Sequence, residues 1–456
     1  MEKEKILAYA LKNAIEHNQA RENFVLNSLF HEGLDKKDIP KIILEIKKTI
    51  KKVNSLSLEQ RKAYFERIKN KISERKQREG LPDLKITNKP VFRLAPFPSG
   101  SLHIGNARGM ILNDEYTKLY SGKLLLMIDD TIGSEKKAIV KEAYSLIPEG
   151  LEFLDIEYNN LYYKSDRLET YYKYAEKLIK KAKAYVCFCS QEKLRENRKN
   201  KKECEERKQS VKETLDLWKK MLKGDYKEGE AVLRIKTNMK HKNPAFRDRV
   251  IFRISKRKHP RIGNKYQVWP LLDFSWAIDD KLLKITHIIR GKELMIETDM
   301  EKYIFDIFKW KHPEFIHIGL LNFKGIKLSK SKGQQEVKSG KYIGWDDPRT
   351  WSLQSLEKRG IQKQAIREFL LDFGLTQKET TVPIEILYEK NRKILYELSE
   401  KAKIVKYGRE VKIRTQESKV KKIKTDLKKD KEYVHFIGLG YCKFNKKSKE
   451  YWLSHK

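Results

Sequence analysis

Over the first ninety positions, apolar residues return at helical spacing. Ile6, Ala10 and Ala14 share one face, and Ile42, Ile46, Ile50 and Val53 share another, so residues 1–88 read as an appended helical module. A polar stretch from about Glu74 to Lys89 follows. The pattern then changes. Val91, Phe92, Leu94 and Ala95 crowd together as a buried strand would, and Pro96, Pro98 and Gly100 punctuate a turn. Beyond the turn, Ala107, Ile111, Leu112, Tyr116 and Leu119 recur as one face of a helix, with Asn106 as the expected N-cap. Leu124–Ile128 reads as a second strand. A strand, a glycine-containing turn and a helix N-terminus present free backbone N–H groups to a phosphate, and His103 in the turn adds a donor.

Far downstream, Lys327-Leu328-Ser329-Lys330-Ser331-Lys332 lies between Gly325 and Gly333. Lys327 and Lys330 can put positive charge where a pyrophosphate leaving group gains negative charge, which is where such groups contribute most. The competing reading is a solvated lysine loop in a chain with 100 Lys+Arg. Composition adds little that is decisive. A length of 456 residues allows about two to four domains. The formal net charge of +37 suits a polyanionic partner, although lysine is spread along the whole chain. Four cysteines, no apolar N-terminal segment and no apolar run of about 18 residues lead to the expectation of a reduced, soluble, cytoplasmic protein without a membrane span.

Taken in order, the two segments resemble the HIGH and KMSKS signatures of class I aminoacyl-tRNA synthetases, written here HIGN (His103–Asn106) and KLSKS (Lys327–Ser331). The surrounding stretches RLAPFPSGSLHIGNARGMILNDEY, YKEGEAVLRIKT, VWPLLDF, AIDDKLL, ITHIIRGKE and GWDDPR are similar to the glutamyl-/glutaminyl-tRNA synthetase branch, archaeal type, up to about residue 400. The resemblance implies an α/β fold with several parts. Residues 89–340 would form a Rossmann-like catalytic domain, with an acceptor-binding module inserted at about 184–285 whose charged part, Glu192–Lys220, is expected as a solvated helical arm. Residues 341–401 would be a helical stem-contact region, and 402–456 a reduced or partial anticodon-binding β-barrel with short strands at Tyr433–Leu439 and Tyr441–Phe444.

The activity implied is that of a glutamate–tRNA ligase. The glutamate carboxylate attacks the α-phosphorus of ATP, pyrophosphate leaves, and the acyl group passes to the 3′ end of tRNA-Glu; Mg²⁺ accompanies ATP, and a monomer is expected. His103, Gly105, Asn106, Lys327, Ser329 and Lys330 would hold ATP, with His103, Lys327 and Lys330 as the catalytic set. Arg93 and Arg290 would meet glutamate carboxylates, since a planar guanidinium pairs bidentately with one, and Asp129 (or its neighbour Asp130) would meet the amino group. Asp279 and Asp280 would shape the approach of the acceptor end. A charged Arg290 disfavours glutamine as substrate. A ligase that also charges tRNA-Gln, a glutaminyl enzyme and an inactive synthetase-like RNA-binding protein are the alternatives. The last is motivated by departures around the pocket: Leu272 for a tyrosine, Phe97 for a small or polar residue, and Met127 and Ile132 for charged ones. Cys187, Cys189 and Cys204 resemble a zinc module of some relatives; the stronger reading from sequence is buried strand cysteines, because Glu205 and Glu206 are poor fourth ligands.

Overall fold

The structure, a computed structural model, describes residues 2–31, 34, 38–72, 80–86, 88–133, 138–326, 328 and 330–456. It divides into two compact units, Met1–Glu79 and Gly80–Lys456. In the first, α1 (Glu2–His17), α2 (Glu22–His31), α3 (Ile39–Asn54) and α4 (Leu58–Ile68) enclose Ile6, Ala10, Ala14, Val25, Ile42, Ile46 and Val53, with Ile50 half-buried at the margin. Both apolar faces read from the sequence are therefore used. Buried Arg61 donates to the carbonyls of Val53 (3.1 Å), Asn54 (3.0 Å), Asn18 (2.8 Å) and Ala14 (3.3 Å), groups that the ends of α1 and α3 leave without helical partners. The polar stretch beginning at Glu74 overlaps residues 73–79 and 87, which lie outside the described residues.

In the second unit, β1 (Val91–Leu94), α5 (Ile104–Leu119), β2 (Lys123–Ile128), α6 (Ala143–Phe153) and β3 (Asn160–Tyr163) form a parallel ladder in the order β1-β2-β3. Val91 stands opposite Lys123, and Leu125 opposite Asn160. The chain then leaves through α7 (Leu168–Lys180) into an antiparallel sheet of β4 (Ala184–Cys187), β5 (Val232–Ile235), β6 (Val250–Ile254) and β7 (Val268–Pro270). Two helices, α8 (Gln191–Lys199) and α9 (Val211–Lys223), separate β4 from β5. Next, α10 (Leu272–Leu282) leads back to β8 (His287–Gly291), α11 (Met295–Ile307) and β9 (Glu314–Ile318), a second parallel pair. The Thr286 N–H donates to the Val91 carbonyl (3.0 Å) and the Val91 N–H to Thr286 Oγ1 (2.8 Å), so β1 and β8 start side by side. Leu94, Leu126, Ile111, Leu112 and Ile289 fill the core beneath them.

The charged segment 192–220 is not a solvated arm. Its apolar residues Val211, Leu215 and Trp218, with Leu222 just beyond, recur on one face of α9, and the fully buried Trp218 packs edge-on against Tyr172 and Phe252. Burying so large a ring outweighs a polar composition.

After β9 come β10 (Leu321–Phe323), α12 (Lys330–Lys338), α13 (Leu353–Arg359), α14 (Lys363–Leu371), β11 (Thr380–Val382) and α15 (Glu385–Leu398). The chain ends in β12 (Glu400–Ala402), β13 (Ile404–Arg414), β14 (Val420–Thr425), β15 (Tyr433–Phe436), β16 (Gly440–Asn445) and β17 (Glu450–His455), one sheet ordered β12-β15-β16-β17-β13-β14. The short strands expected near 433 and 441 are β15 and β16; the long β13–β14 hairpin was not anticipated. Buried Arg359 donates to the Ser454 carbonyl (2.9 Å), tying this sheet to the helices before it. Among the described residues no helix is long and apolar enough to cross a membrane.

Candidate active site

The turn after β1 delivers α5, and its cap is His103 rather than Asn106. His103 has extended backbone (φ −120°, ψ 167°), its Nδ1 accepts from the Gly105 N–H (3.1 Å), and Asn106 Oδ1 reaches back to the His103 N–H (3.3 Å). Asn106 thus closes a capping box from inside the first turn. With Nδ1 accepting, the neutral ring carries its proton on Nε2, the arrangement a phosphate donor requires. The Ile104 and Asn106 N–H groups donate to the Trp351 and His103 carbonyls (3.3 and 2.8 Å), so the turn offers the positive end of a 16-residue helix dipole and not the free N–H groups expected from sequence.

The late signature comes to this turn. A Cβ on Gly105 would lie 3.0 Å from Leu328 Cδ1, so Leu328 of KLSKS packs against Gly105 of HIGN. Trp345 spans the two: a Cβ on Gly100, whose φ is +139°, would run into its ring, and one on Gly333 would lie 3.5 Å from it. The loop carrying Trp345 is held from within. Asp347 accepts from the Ile343 and Arg349 N–H groups (3.1 and 3.0 Å) and from the Arg349 guanidinium, and the Ser352 and Thr350 hydroxyls donate to the Trp345 carbonyl (2.6 and 2.9 Å). Burial works against the Asp347 charge, but these donors hold its pKa below the usual value. The chain after this loop also pairs with the turn, Leu353 N–H to the Leu102 carbonyl (2.8 Å). Lys327 and Ser329 lie outside the described residues; Lys330, described in its backbone only, opens α12.

Beside the turn, between the ends of β1 and β8, is a cavity of about 240 Å³ bounded by Arg93, Phe97, Asn106, Trp276 and Arg290. Asp280 clamps Arg93 through two bonds (2.5 and 3.0 Å). Arg290 donates to Glu301 (2.7 Å) and Thr298 (2.5 Å). Both guanidiniums lie near the Trp276 ring, at 5.0 and 5.1 Å from its centroid. Lys164, fully buried, is also 5.1 Å from this ring and donates to Asp129 (3.2 Å) and Ser275 (2.7 Å). Burial lowers the Lys164 pKa against the pull of Asp129. Arg167 pairs with Asp279 (2.6 Å), which also accepts from Tyr171 (2.5 Å). Each buried charge has a partner, as burial demands.

Several expectations are redirected by this geometry. Asp279 and Asp280 are buried partners of Arg167 and Arg93, not surface residues shaping an approach path. Asp129 is engaged by Lys164 and Thr131, while Asp130 accepts from Ser165 and Tyr144. Met127 lies in β2 and Ile132 in the core of the inserted sheet. Phe97 does line the cavity; Leu272 opens α10, and Trp276, four positions on and hence on the same helical face, occupies the pocket beside it. Trp276, Lys164 and Glu301 were not singled out from sequence. The i, i+4 spacing from Leu272 was a signal for the first; the other two had none.

In the inserted sheet, one ligand atom from each of Cys187, Cys189, Cys204 and Glu206 lies within 4.8 Å of all the others. The Cys187 and Cys204 sulfurs are 3.7 Å apart, close to the edge of about 3.8 Å that a tetrahedron with Zn–S bonds of about 2.3 Å requires. Cys204 is held low, to about 6, by the Cys187 hydrogen bond against the effect of burial, with Tyr185 and Arg234 adding to it. Arg234 donates to the Cys204 sulfur (2.6 Å), and its charge would offset part of the negative charge of three thiolates and a carboxylate around a dication. Glu206, weak on sequence grounds, supplies the fourth ligand by position, so the residues fit zinc.

The family model for the catalytic domain of class I tRNA synthetases (E and Q) matches residues 90–396. The chain is 45% identical over 406 residues to a glutamate–tRNA ligase of Pyrococcus abyssi, covering 87% of this chain and 71% of that one. It is 40% identical over 395 residues to the glutamate–tRNA ligase of Methanocaldococcus jannaschii, covering 86% and 70%. A glutamate–tRNA synthetase structure from Elizabethkingia anophelis shares the fold, with a TM-score of 0.50 at 21% identity, over 68% of this chain and 72% of that one. With both signatures meeting at one turn and the family model covering most of its length, the chain belongs to the class I tRNA synthetases of the E and Q type.

Proposed function

We propose that the chain is a glutamate–tRNA ligase that activates glutamate with ATP and transfers it to the 3′ end of tRNA-Glu. The observation that carries this reading is the contact of Leu328 with Gly105, next to a cavity holding two buried arginines. His103 Nε2 and the positive end of the α5 dipole, at Gly105 and Asn106, bind ATP phosphates, which arrive with Mg²⁺. Lys327 and Lys330 of the KLSKS signature neutralise the departing pyrophosphate, and the Ser329 hydroxyl hydrogen-bonds the nucleotide. Arg93 and Arg290 orient the glutamate carboxylates, and Asp129 its amino group. No covalent enzyme intermediate is needed, so the protein acts by positioning and charge.

The terminal sheet serves tRNA. On the outer face of β13–β14, Lys412 stands opposite Lys422 and Lys424 opposite Glu410, Glu410 pairs with Lys422 (3.1 Å), and Tyr407 is 79% exposed. With three lysines to one glutamate, this face keeps a cationic surplus that a phosphate backbone laid over it would meet, releasing counterions. Zinc held by Cys187, Cys189, Cys204 and Glu206 would tie β4 to the segment before α9; its part is structural.

The test is ATP–pyrophosphate exchange with glutamate, with and without tRNA. Exchange driven by glutamate supports the reading; exchange driven by glutamine and not glutamate overturns it.

A further inference from the structure

The charges around Trp276 balance. Among the described residues, Arg93, Lys164, Arg167 and Arg290 are matched by Asp280, Asp129, Asp279 and Glu301. Glutamate in its ordinary form carries one positive and two negative charges. Its entry therefore adds a net negative charge to four buried ion pairs that are already neutral among themselves, and a low-dielectric site resists that strongly. Some carboxyl must become neutral.

Glu301 is placed to do so. It is fully buried on α11. Its Oε1 accepts from Arg290 (2.7 Å), while its Oε2, 4.0 Å from Arg93, has no hydrogen-bond partner. The Arg290 Nε and the Trp276 Nε1 are likewise without partners; Arg290 and Trp276 line the cavity, and Glu301 is joined to it through Arg290. By contrast, both oxygens of Asp280 are bonded to Arg93, and both oxygens of Asp279 accept as well. The groups facing Glu301 are Arg290 from β8, Arg93 from β1 and Asp280 and Trp276 from α10. Thr298 on its own helix bonds Arg290 and, on the other side, His317 of β9.

Resting on glutamate as the substrate, we propose that Glu301 is a positioning residue that stands in for the substrate carboxylate: it holds Arg290 in the free enzyme and surrenders it, taking a proton from solvent, when glutamate binds. The local electrostatics suit this part. Burial, with Asp280 adding to it and Arg290 and Arg93 opposing, raises the Glu301 carboxyl to about 7. An incoming carboxylate that draws Arg290 away raises it further. Binding is then coupled to uptake of one proton, and glutamate affinity falls as pH climbs past the value of the free enzyme.

The test has two arms, both with tRNA present. In the first, KM for glutamate and KM for ATP are measured from pH 6 to 8.5 for the natural enzyme and for Glu301→Gln. The expected result is a glutamate KM that climbs toward tenfold per pH unit above about pH 7, an ATP KM without that slope, and loss of the slope in the variant. In the second, glutamate is titrated calorimetrically into the natural enzyme–tRNA complex at pH 8 in two buffers of different ionisation enthalpy. About one proton should be taken up per glutamate bound. This arm decides the matter even where the variant fails to fold. No proton uptake together with a flat glutamate KM overturns the proposal and leaves the ligase reading intact. A variant that keeps the natural slope shows Glu301 to be structural only. Failure to charge glutamate at any pH removes the substrate reading itself.

Discussion

Gly105→Ala separates stability from function at the meeting point of the two signatures. Gly105 is the second residue of α5 and its φ is not in the left-handed region, so alanine fits the backbone. For the helix alone the change is favourable, by at most about 0.5–1 kcal/mol. The new methyl, however, would lie 3.0 Å from Leu328 Cδ1 and 3.1 Å from the His103 ring. Ordinary carbon contacts are about 3.5–4.0 Å, so Leu328 must retreat by roughly half an ångström, or the His103 ring must turn. Misplacing a reacting group by about 1 Å can cost about a hundredfold, so half that displacement should cost about tenfold, or about 1.4 kcal/mol of transition-state stabilisation. In tRNA-dependent pyrophosphate exchange, kcat/KM for ATP should fall about tenfold, while the thermal midpoint stays level or rises. Natural kinetics in the variant would refute the claim that HIGN and KLSKS work in contact. A joint loss of activity and stability would refute the packing argument instead.

Three further outcomes are expected. Lys330→Ala should lower pyrophosphate exchange by about 10²–10³ while leaving tRNA affinity nearly unchanged, checked by exchange and filter-binding assays; unaltered exchange would remove Lys330 from the mechanism. Metal analysis should find about one zinc per chain, lost in Cys204→Ser, and a chelator should lower the thermal midpoint of the natural protein; a metal-free protein of equal stability would leave the cluster as plain buried thiols. The affinity for tRNA should fall steeply with salt, and Lys412→Ala with Lys422→Ala should reduce the magnitude of the log–log slope by about 2, whereas an unchanged slope would take the terminal sheet off the RNA path.

What the sequence made legible is local. The strand at Val91, the glycine turn and the helix after it are written in neighbouring residues, and the two signatures in their order identify an ATP site. The cap was misassigned to Asn106 because either residue can cap; the choice falls to His103 because its ring reaches the Gly105 N–H while Asn106 reaches back. What stayed hidden depends on distance along the chain. Arg93 and Asp280 are 187 positions apart, and nothing in one sequence pairs them. Lys164 looked like one lysine among many, yet it is fully buried beside Asp129. The β13–β14 hairpin was missed because its outward lysines mask the alternation of Val411, Ile413 and Ile423, which turn toward the sheet core. Glu206 joined the cysteines only once the chain had folded back after α8.

The most direct test of the whole account is aminoacylation of unfractionated tRNA in parallel with labelled glutamate and labelled glutamine. A glutamyl product and no glutaminyl product is expected, because two buried guanidiniums face the cavity. A glutaminyl product, or tRNA that binds yet is never charged, would contradict it.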